Sequence, residues 1–259
     1  MSYGKVSSRT FEHMKKDVVF MSNYNRVDNI YALPFLGAGH DGFVFKYGDF
    51  ALKLLKYDIE GRSKAKLMTF EKASYFCQNL KLKRVEAPRD VLLDRNGVFS
   101  GYVMRCVDNL ASDKFKNTPI YKSPGDFTCG ELLWAIAELG DDFMELSAKG
   151  VKAQDINSGT FLFPSDYVHF CDTDKYQLSD SSNLENLNMC TYNYSIAKLL
   201  YLEMYKNVSD KDDIKKLGLW VKQCANSPTF IKELTREIGA DFREPIGEFA
   251  NHKAKTLLH

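Results

Sequence analysis

The sequence predicts an α+β protein of two lobes, an antiparallel-sheet N-terminal lobe over residues 1–106 and a helical C-terminal lobe over 107–259. Three observations carry that expectation. Before Cys106 the apolar runs are short and separated by glycine-bearing turns, the pattern of strands joined by hairpins. One stretch among them, Arg62–Leu80, places Leu67, Phe70, Glu71, Ser74 and Tyr75 at helical spacing. Beyond Asp126, apolar residues recur at three and four, as in Leu132, Leu133, Ile136, Leu139, Phe143 and Leu146, the buried stripe of a packed helix.

The elements follow in order. The first thirty residues are polar and mixed, an arm or a short preamble. Ile30–Leu36 reads as a strand, Gly37–Gly42 as a turn, Phe43–Tyr47 as a second strand, and Gly48-Asp49 as a hairpin turn into a third strand, Phe50–Leu55. After the Arg62–Leu80 helix, Val85–Leu93 and Val98–Cys106 pair across Asp94–Gly97, which makes about five antiparallel strands and one helix. Asp108–Asp126 is polar, holds two prolines and reads as a linker or surface loop. A helix over Phe127–Lys149 ends at Gly150. Phe161–Phe163 and Tyr167–Phe170 are two short strands about a Pro-Ser-Asp turn. Helices are expected over Tyr194–Tyr205, Ile214–Cys224 and Thr229–Ile238, with a frayed basic tail from Asn251. Trp134 and Trp220 are expected in the core or between helices.

Composition bounds the function. With 44% apolar residues, 18 Phe and 14 Tyr in 259 residues, the chain is neither disordered nor collagenous. Lys plus Arg is 35 against 34 Asp plus Glu, so no global charge draws it to nucleic acid or anionic lipid. The basic stretch Lys64, Lys66, Lys72, Lys81, Lys83 and Arg84 lacks interleaved aromatic platforms and reads as a solvated face, which argues against a nucleic-acid partner. The six cysteines show no zinc or redox spacing. No run approaches the roughly 18 apolar residues of a membrane span, and Met1–Lys5 lacks an apolar secretory core. Free thiols in a reducing cytoplasm are the expectation.

Three features carry chemistry. Gly37-x-Gly39-x-x-Gly42 is followed by a strand, not by the helix a dinucleotide fingerprint requires. Its glycines therefore turn a hairpin whose amides can lie over phosphates, unless it is a plain hairpin. Lys53 sits inside the apolar run Phe50–Leu55, where an ammonium needs a solvent face or a partner. Glu71 is its expected helical partner, the alternative being an edge lysine. Asp155 follows the long helix, while Asp172 and Asp174 follow the strand ending at Phe170. If the two short strands pair, their open end brings Asp155 and Asp172 together, where carboxylates can hold Mg²⁺ and a hydroxyl nucleophile. Lone aspartates at turns otherwise act as caps.

In this order the motifs resemble the protein kinase-like superfamily, and in particular divergent bacterial kinase-like proteins, over roughly residues 30–205. The resemblance implies a two-lobed protein kinase-like fold with a reduced helical C-lobe. Leu36–Val44 looks like the glycine-rich loop, with Gly37, Gly39 and Gly42 over the ATP phosphates and Val44 on the adenine. Ala51-Leu52-Lys53 matches the strand lysine, Ala51 touching adenine and Lys53 pairing with Glu71. Met104 would stand at the back of the nucleotide pocket, and the backbone around Arg105, Cys106 and Val107 would meet the adenine edge. Asp155–Leu162 is similar to a catalytic loop, with Asp155 as base or hydroxyl-orienting residue and Asn157 where a phosphate-contacting lysine often stands. Asp172-Thr173-Asp174 resembles the metal-binding triplet, with Asp172, Asp174 and Thr160 as metal ligands.

Departures from the pattern are also present. Ala153-Gln154 replaces the His-Arg before the catalytic Asp, Thr160 stands where the second metal ligand is an Asn, and no Ala-Pro-Glu anchor follows the triplet. The implied activity is ATP- and Mg-dependent phosphoryl transfer to a protein or small-molecule hydroxyl. The alternatives are a nucleotide-binding pseudokinase acting through a protein partner and a kinase-like nucleotidyl transferase.

Overall fold

The computed structural model describes residues 18–20, 26–38, 41–56, 68–107, 127–156, 160–163, 168–171 and 173–258. The chain divides into two compact units, Met1–Gln78 with Pro88–Cys106, and Asn79–Ala87 with Val107–His259. The class is α+β.

The first unit is built on one antiparallel sheet. Its strands are β1 (Val18–Phe20), β2 (Arg26–Val27), β3 (Phe35–Ala38), β4 (Gly42–Tyr47), β5 (Phe50–Leu55), β6 (Asp90–Asp94) and β7 (Phe99–Arg105), in the order β2-β1-β6-β7-β5-β4-β3. Seven strands pair where about five were expected, because the N-terminal preamble adds β1 and β2 beside β6. Two turns fix the register. Tyr47 faces Phe50 across Gly48-Asp49, with Gly48 at φ 57°, and the Asp94 carboxylate accepts the Asn96 and Val98 amides around Gly97 at φ 74°. On one face Val27, Ile30, Phe43, Phe45, Leu52, Leu54, Leu92 and Val103 form a buried cluster. A fully buried Leu or Phe stabilises by roughly 1.5–3 kcal/mol.

Two expected strands begin later than predicted. Ile30–Ala32 is a 3-10 turn capped by Asn29, whose side chain accepts the Tyr31 amide, and β3 starts only beyond Pro34. Val85–Ala87 belongs to the second unit, and β6 starts beyond Pro88. In both places proline cannot donate to a ladder. The helix of this unit is α1 (Phe70–Asn79). Thr69 caps it by accepting the Lys72 amide, so Met68 and Thr69 are outside it, while residues 62–67 lie outside the described residues. Its buried side is Ala73 and Phe76, not the face of Glu71, Ser74 and Tyr75 that the spacing suggested.

The second unit is helical. Its helices are α2 (Cys129–Ala148), α3 (Leu184–Tyr205), α4 (Lys211–Asn226), α5 (Phe230–Ile238) and α6 (Ile246–Leu258). A capping box between Thr128 and Glu131 starts α2. Helix α3 is central and packs against α2, α4 and α6. It begins ten residues earlier than expected, and α6 replaces the expected frayed tail by burying Ile246, Phe249, Ala250 and Ala254. Trp220 stacks edge-on against Phe230, but Trp134 is exposed, contrary to expectation. Four short strands complete the unit: β8 (Val151–Lys152) pairs with β11 (Gln177–Leu178), and β9 (Phe161–Leu162) with β10 (His169–Phe170), both antiparallel. Among the described residues no helix is long and apolar enough to cross a membrane.

Candidate functional site

In the first unit, pairing aligns the predicted nucleotide residues. Gly37 faces Val44, Val44 faces Lys53, and Lys53 faces Tyr102, while Lys46 faces Ala51 and Ala51 faces Met104. Side chains alternate along a strand and match across a row. Val44, Lys46, Ala51, Lys53, Tyr102 and Met104 therefore share one face, opposite the Phe43, Phe45, Leu52, Leu54 cluster. Lys53 is only 7% exposed, and its ammonium stands 5.9 Å from the centre of the Tyr102 ring, a distance at which an aromatic face attracts a cation.

The backbone around Lys53 is crowded. A Cβ on Gly42 would lie 2.5 Å from the Leu54 carbonyl oxygen, and one on Gly101 would lie 2.0 Å from that of Lys53. Gly42 thus has a local role independent of phosphate, and Gly101 allows a close backbone approach beside Lys53 that the sequence reading passed over. Gly37 has open space at its Cβ. Gly39 lies outside the described residues.

Two of the expected residues have local partners of their own. Glu71 makes no ion pair with Lys53 among the described residues. It stands in the first turn of α1, about 200° round the helix from Ala73, with its carboxylate exposed. Hydrogen bonds from its own amide and from Thr69 hold that carboxyl below its ordinary value. The Cys106 amide donates to the Asp49 carbonyl at 2.9 Å, because β7 carries on along the hairpin turn. An adenine edge would have to meet other backbone groups between Arg105 and Val107.

In the second unit, the paired short strands bring Thr160 and Cys171 together at their open end, where the Cys171 amide donates to the Thr160 carbonyl at 2.8 Å. Asp155 adopts φ 58°, the only non-glycine residue with positive φ among the described residues. Such a backbone costs energy and persists where its surroundings impose it. Here the Thr160 hydroxyl donates to the Asp155 carbonyl at 3.4 Å, and the Asp155 carboxylate pairs with Lys175. The chain before Asp155 is held by Asn188 of α3, which accepts the Ala153 amide at 2.9 Å and donates to the Val151 carbonyl at 2.8 Å. Asp174 is buried in the 3-10 turn Thr173–Lys175. Asp172 and Asn157 lie outside the described residues.

The segment after α1 is fastened into this unit by polar contacts that sequence reasoning missed. Asp142 of α2 accepts the amides of Lys83, Arg84 and Val85 at 2.7–2.8 Å. Arg84 donates to Glu138 at 2.6 Å and to the Val168 carbonyl at 3.0 Å. Glu86 then meets the loop that carries Asp174 from both flanks. Its amide donates to Phe170 (2.7 Å), its carboxylate meets His169 Nδ1 (2.9 Å), and its carbonyl accepts the Thr173 hydroxyl (3.3 Å). A carboxylate on a buried helical stripe, as Asp142 is between Leu139 and Phe143, was the one visible signal.

Carboxylate oxygens suit a hard divalent cation. Among the described residues no three His, Cys, Asp or Glu side chains converge as a metal cluster, so a site on Asp174 would need Asp172 to complete it. Thr160 gives its proton to the Asp155 carbonyl, which leaves only hydroxyl lone pairs for a metal. No protein-family model matches the chain, and no curated protein matches it.

Proposed function

We propose that the chain is an ATP- and Mg-dependent phosphotransferase of the protein kinase-like type, acting on a protein or small-molecule hydroxyl. The observation that carries this reading is the shared sheet face of Val44, Ala51, Lys53 and Met104, with a nearly buried ammonium beside two small apolar side chains and a methionine. Apolar side chains beside a buried cation suit a flat base joined to a polyphosphate. Lys53 would hold phosphate oxygens. Asp155, fixed by its imposed backbone, would accept a hydrogen bond from the acceptor hydroxyl and orient it for attack. Mg²⁺, held by Asp172 and Asp174, would neutralise charge on the phosphates.

A second reading, a nucleotide-binding pseudokinase acting through a partner, is favoured by one observation: among the described residues Glu71, exposed in the first turn of α1, forms no ion pair with Lys53. Titration with ATP, with and without Mg²⁺, followed by γ-phosphate release separates the two. Transfer supports the enzyme, and saturable binding without transfer supports the pseudokinase. Lys53→Met, which keeps the packing volume, should weaken ATP at least about tenfold. Unchanged binding in that variant would remove the assignment.

A further inference from the structure

We propose that Lys175 is a catalytic residue that supplies positive charge to the phosphoryl group while it is transferred, an inference that rests on the phosphotransferase reading above. The β8–β11 register places the residue. Lys152 faces Gln177 and Val151 faces Leu178, so the chain continuing past Lys152 runs against the turn Thr173–Lys175. Gln154 Nε2 donates to Gln177 Oε1 at 3.0 Å and ties the two segments beside that point. The Lys175 ammonium then meets the Asp155 carboxylate. The two side chains are 40% and 38% exposed, so the pair is formed yet open to a substrate.

A cation at this place suits the chemistry. The acceptor oxygen forms a bond to the γ-phosphorus, and the bond to the bridging oxygen breaks with its electron pair leaving on ADP. The hydroxyl proton passes to Asp155. Throughout, an anionic carboxylate and an anionic phosphoryl group approach the same oxygen and repel each other. An ammonium already on that carboxylate neutralises it in the resting protein, and its flexible stem can swing to the equatorial oxygens as charge spreads over them. Lys175 keeps its own proton through the step. Asn157, an uncharged amide, offers no such charge.

The test compares wild type, Lys175→Met and Lys175→Arg in Mg-ATP hydrolysis, with ATP and ADP affinities measured in parallel. An exposed ion pair contributes little to stability, so the thermal midpoints should agree. Lys175→Met should lower kcat by about a hundredfold with the KM for ATP nearly unchanged, and Lys175→Arg should recover activity to within about tenfold of wild type. A merely structural lysine would shift the midpoint and would not separate kcat from KM. If wild type hydrolyses ATP and Lys175→Met keeps its kcat, the inference is wrong while the phosphotransferase reading stands. If wild type binds ATP without hydrolysing it, the phosphotransferase reading and the inference fall together. If wild type binds neither nucleotide, both readings fall. Should Lys175→Met not fold, an inactive, folded Lys175→Ala supports the role and an active one overturns it.

Discussion

Replacing Asp142 tests how the segment from Lys83 to Ala87 is fastened. Oδ2 accepts the Arg84 amide at 2.7 Å and the Val85 amide at 2.8 Å, while Oδ1 accepts the Lys83 amide at 2.8 Å. Arg84, Val85 and Asp142 are buried. A buried donor left without an acceptor costs about 1–3 kcal/mol. Asp142→Ala strands two such donors, a loss of about 2–6 kcal/mol. Against this, burial pushes the Asp142 carboxyl above its ordinary value despite the three amides, so its removal returns part of a desolvation cost. The net expectation is about 3 kcal/mol. Asp142→Asn keeps one oxygen for Arg84 and Val85 and turns an NH₂ toward Lys83, so about 1 kcal/mol is expected.

Urea unfolding measures the difference. With a slope of about 2 kcal/mol per molar, the midpoint should fall by about 1.5 M for Ala and about 0.5 M for Asn. The pH dependence has a definite sign. A carboxyl raised in the folded state adds stability that is complete below its unfolded value and is lost as pH rises through the folded value. The gap between wild type and Asp142→Asn should therefore widen as pH falls from neutrality toward the ordinary aspartate range. Equal midpoints for the two variants, or a shift under about 0.3 M for Ala, would refute the reading of Asp142 as the acceptor that fastens this segment.

Two further outcomes follow from packing. Gly101→Ala must push β7 off the Lys53 carbonyl and should cost at least about 2 kcal/mol as well as ATP affinity, whereas Gly37→Ala, with open space at its Cβ, should stay within about 0.5 kcal/mol; thermal unfolding of the pair checks this, and matching midpoints would contradict it. Burial pushes the Cys77, Cys129 and Cys224 thiols up to about 12, so at pH 8 they stay protonated and slow. A thiol reagent on the native protein should count no more than three fast groups of the six, and a fourth would show that one of these sites opens.

What the sequence made legible was whatever local rules determine. The two-residue turn at Gly48-Asp49 sets the register of β4 on β5, so the row through Val44 and Lys53 could be read without knowing the rest of the sheet. Prolines 34 and 88 stood inside two expected strands and marked where the ladders could not start. The face of α1 is not legible from spacing alone, because Thr69 is the cap and the helix starts only at Phe70, which leaves Glu71 in its exposed first turn. The last helix was legible in Ile246, Phe249, Ala250 and Ala254, but an expected tail beginning at Asn251 cut across that repeat. Asp142, Asn188 and Glu86 could not be assigned from spacing, because each acts on backbone groups distant in sequence.

The strongest support for a nucleotide site at Lys53 is the local disadvantage gathered around it. A lysine is held at 7% exposure in the middle of β5. The strands on either side each carry a glycine, Gly42 and Gly101, where any side chain would strike the β5 backbone. Glycine in a strand interior gives up packing and entropy, and a buried ammonium loses hydration. The glycines are the residues that this close approach allows, but a sheet chosen for stability alone would hold an apolar residue in place of Lys53. Where a residue breaks the local pattern in this way, function is a common compensation. The same reasoning applies independently to Asp155, whose φ of 58° lies in the small left-handed region that few side chains adopt. A triple variant with Gly42, Lys53 and Gly101 all apolar would not test this, since the glycine changes disrupt the sheet by themselves. Lys53→Met does test it, because only the ammonium is removed. If function is what compensates, that variant should be more stable than wild type by about 1 kcal/mol while losing nucleotide, and a variant that is both less stable and still binds ATP would mean the lysine is structural.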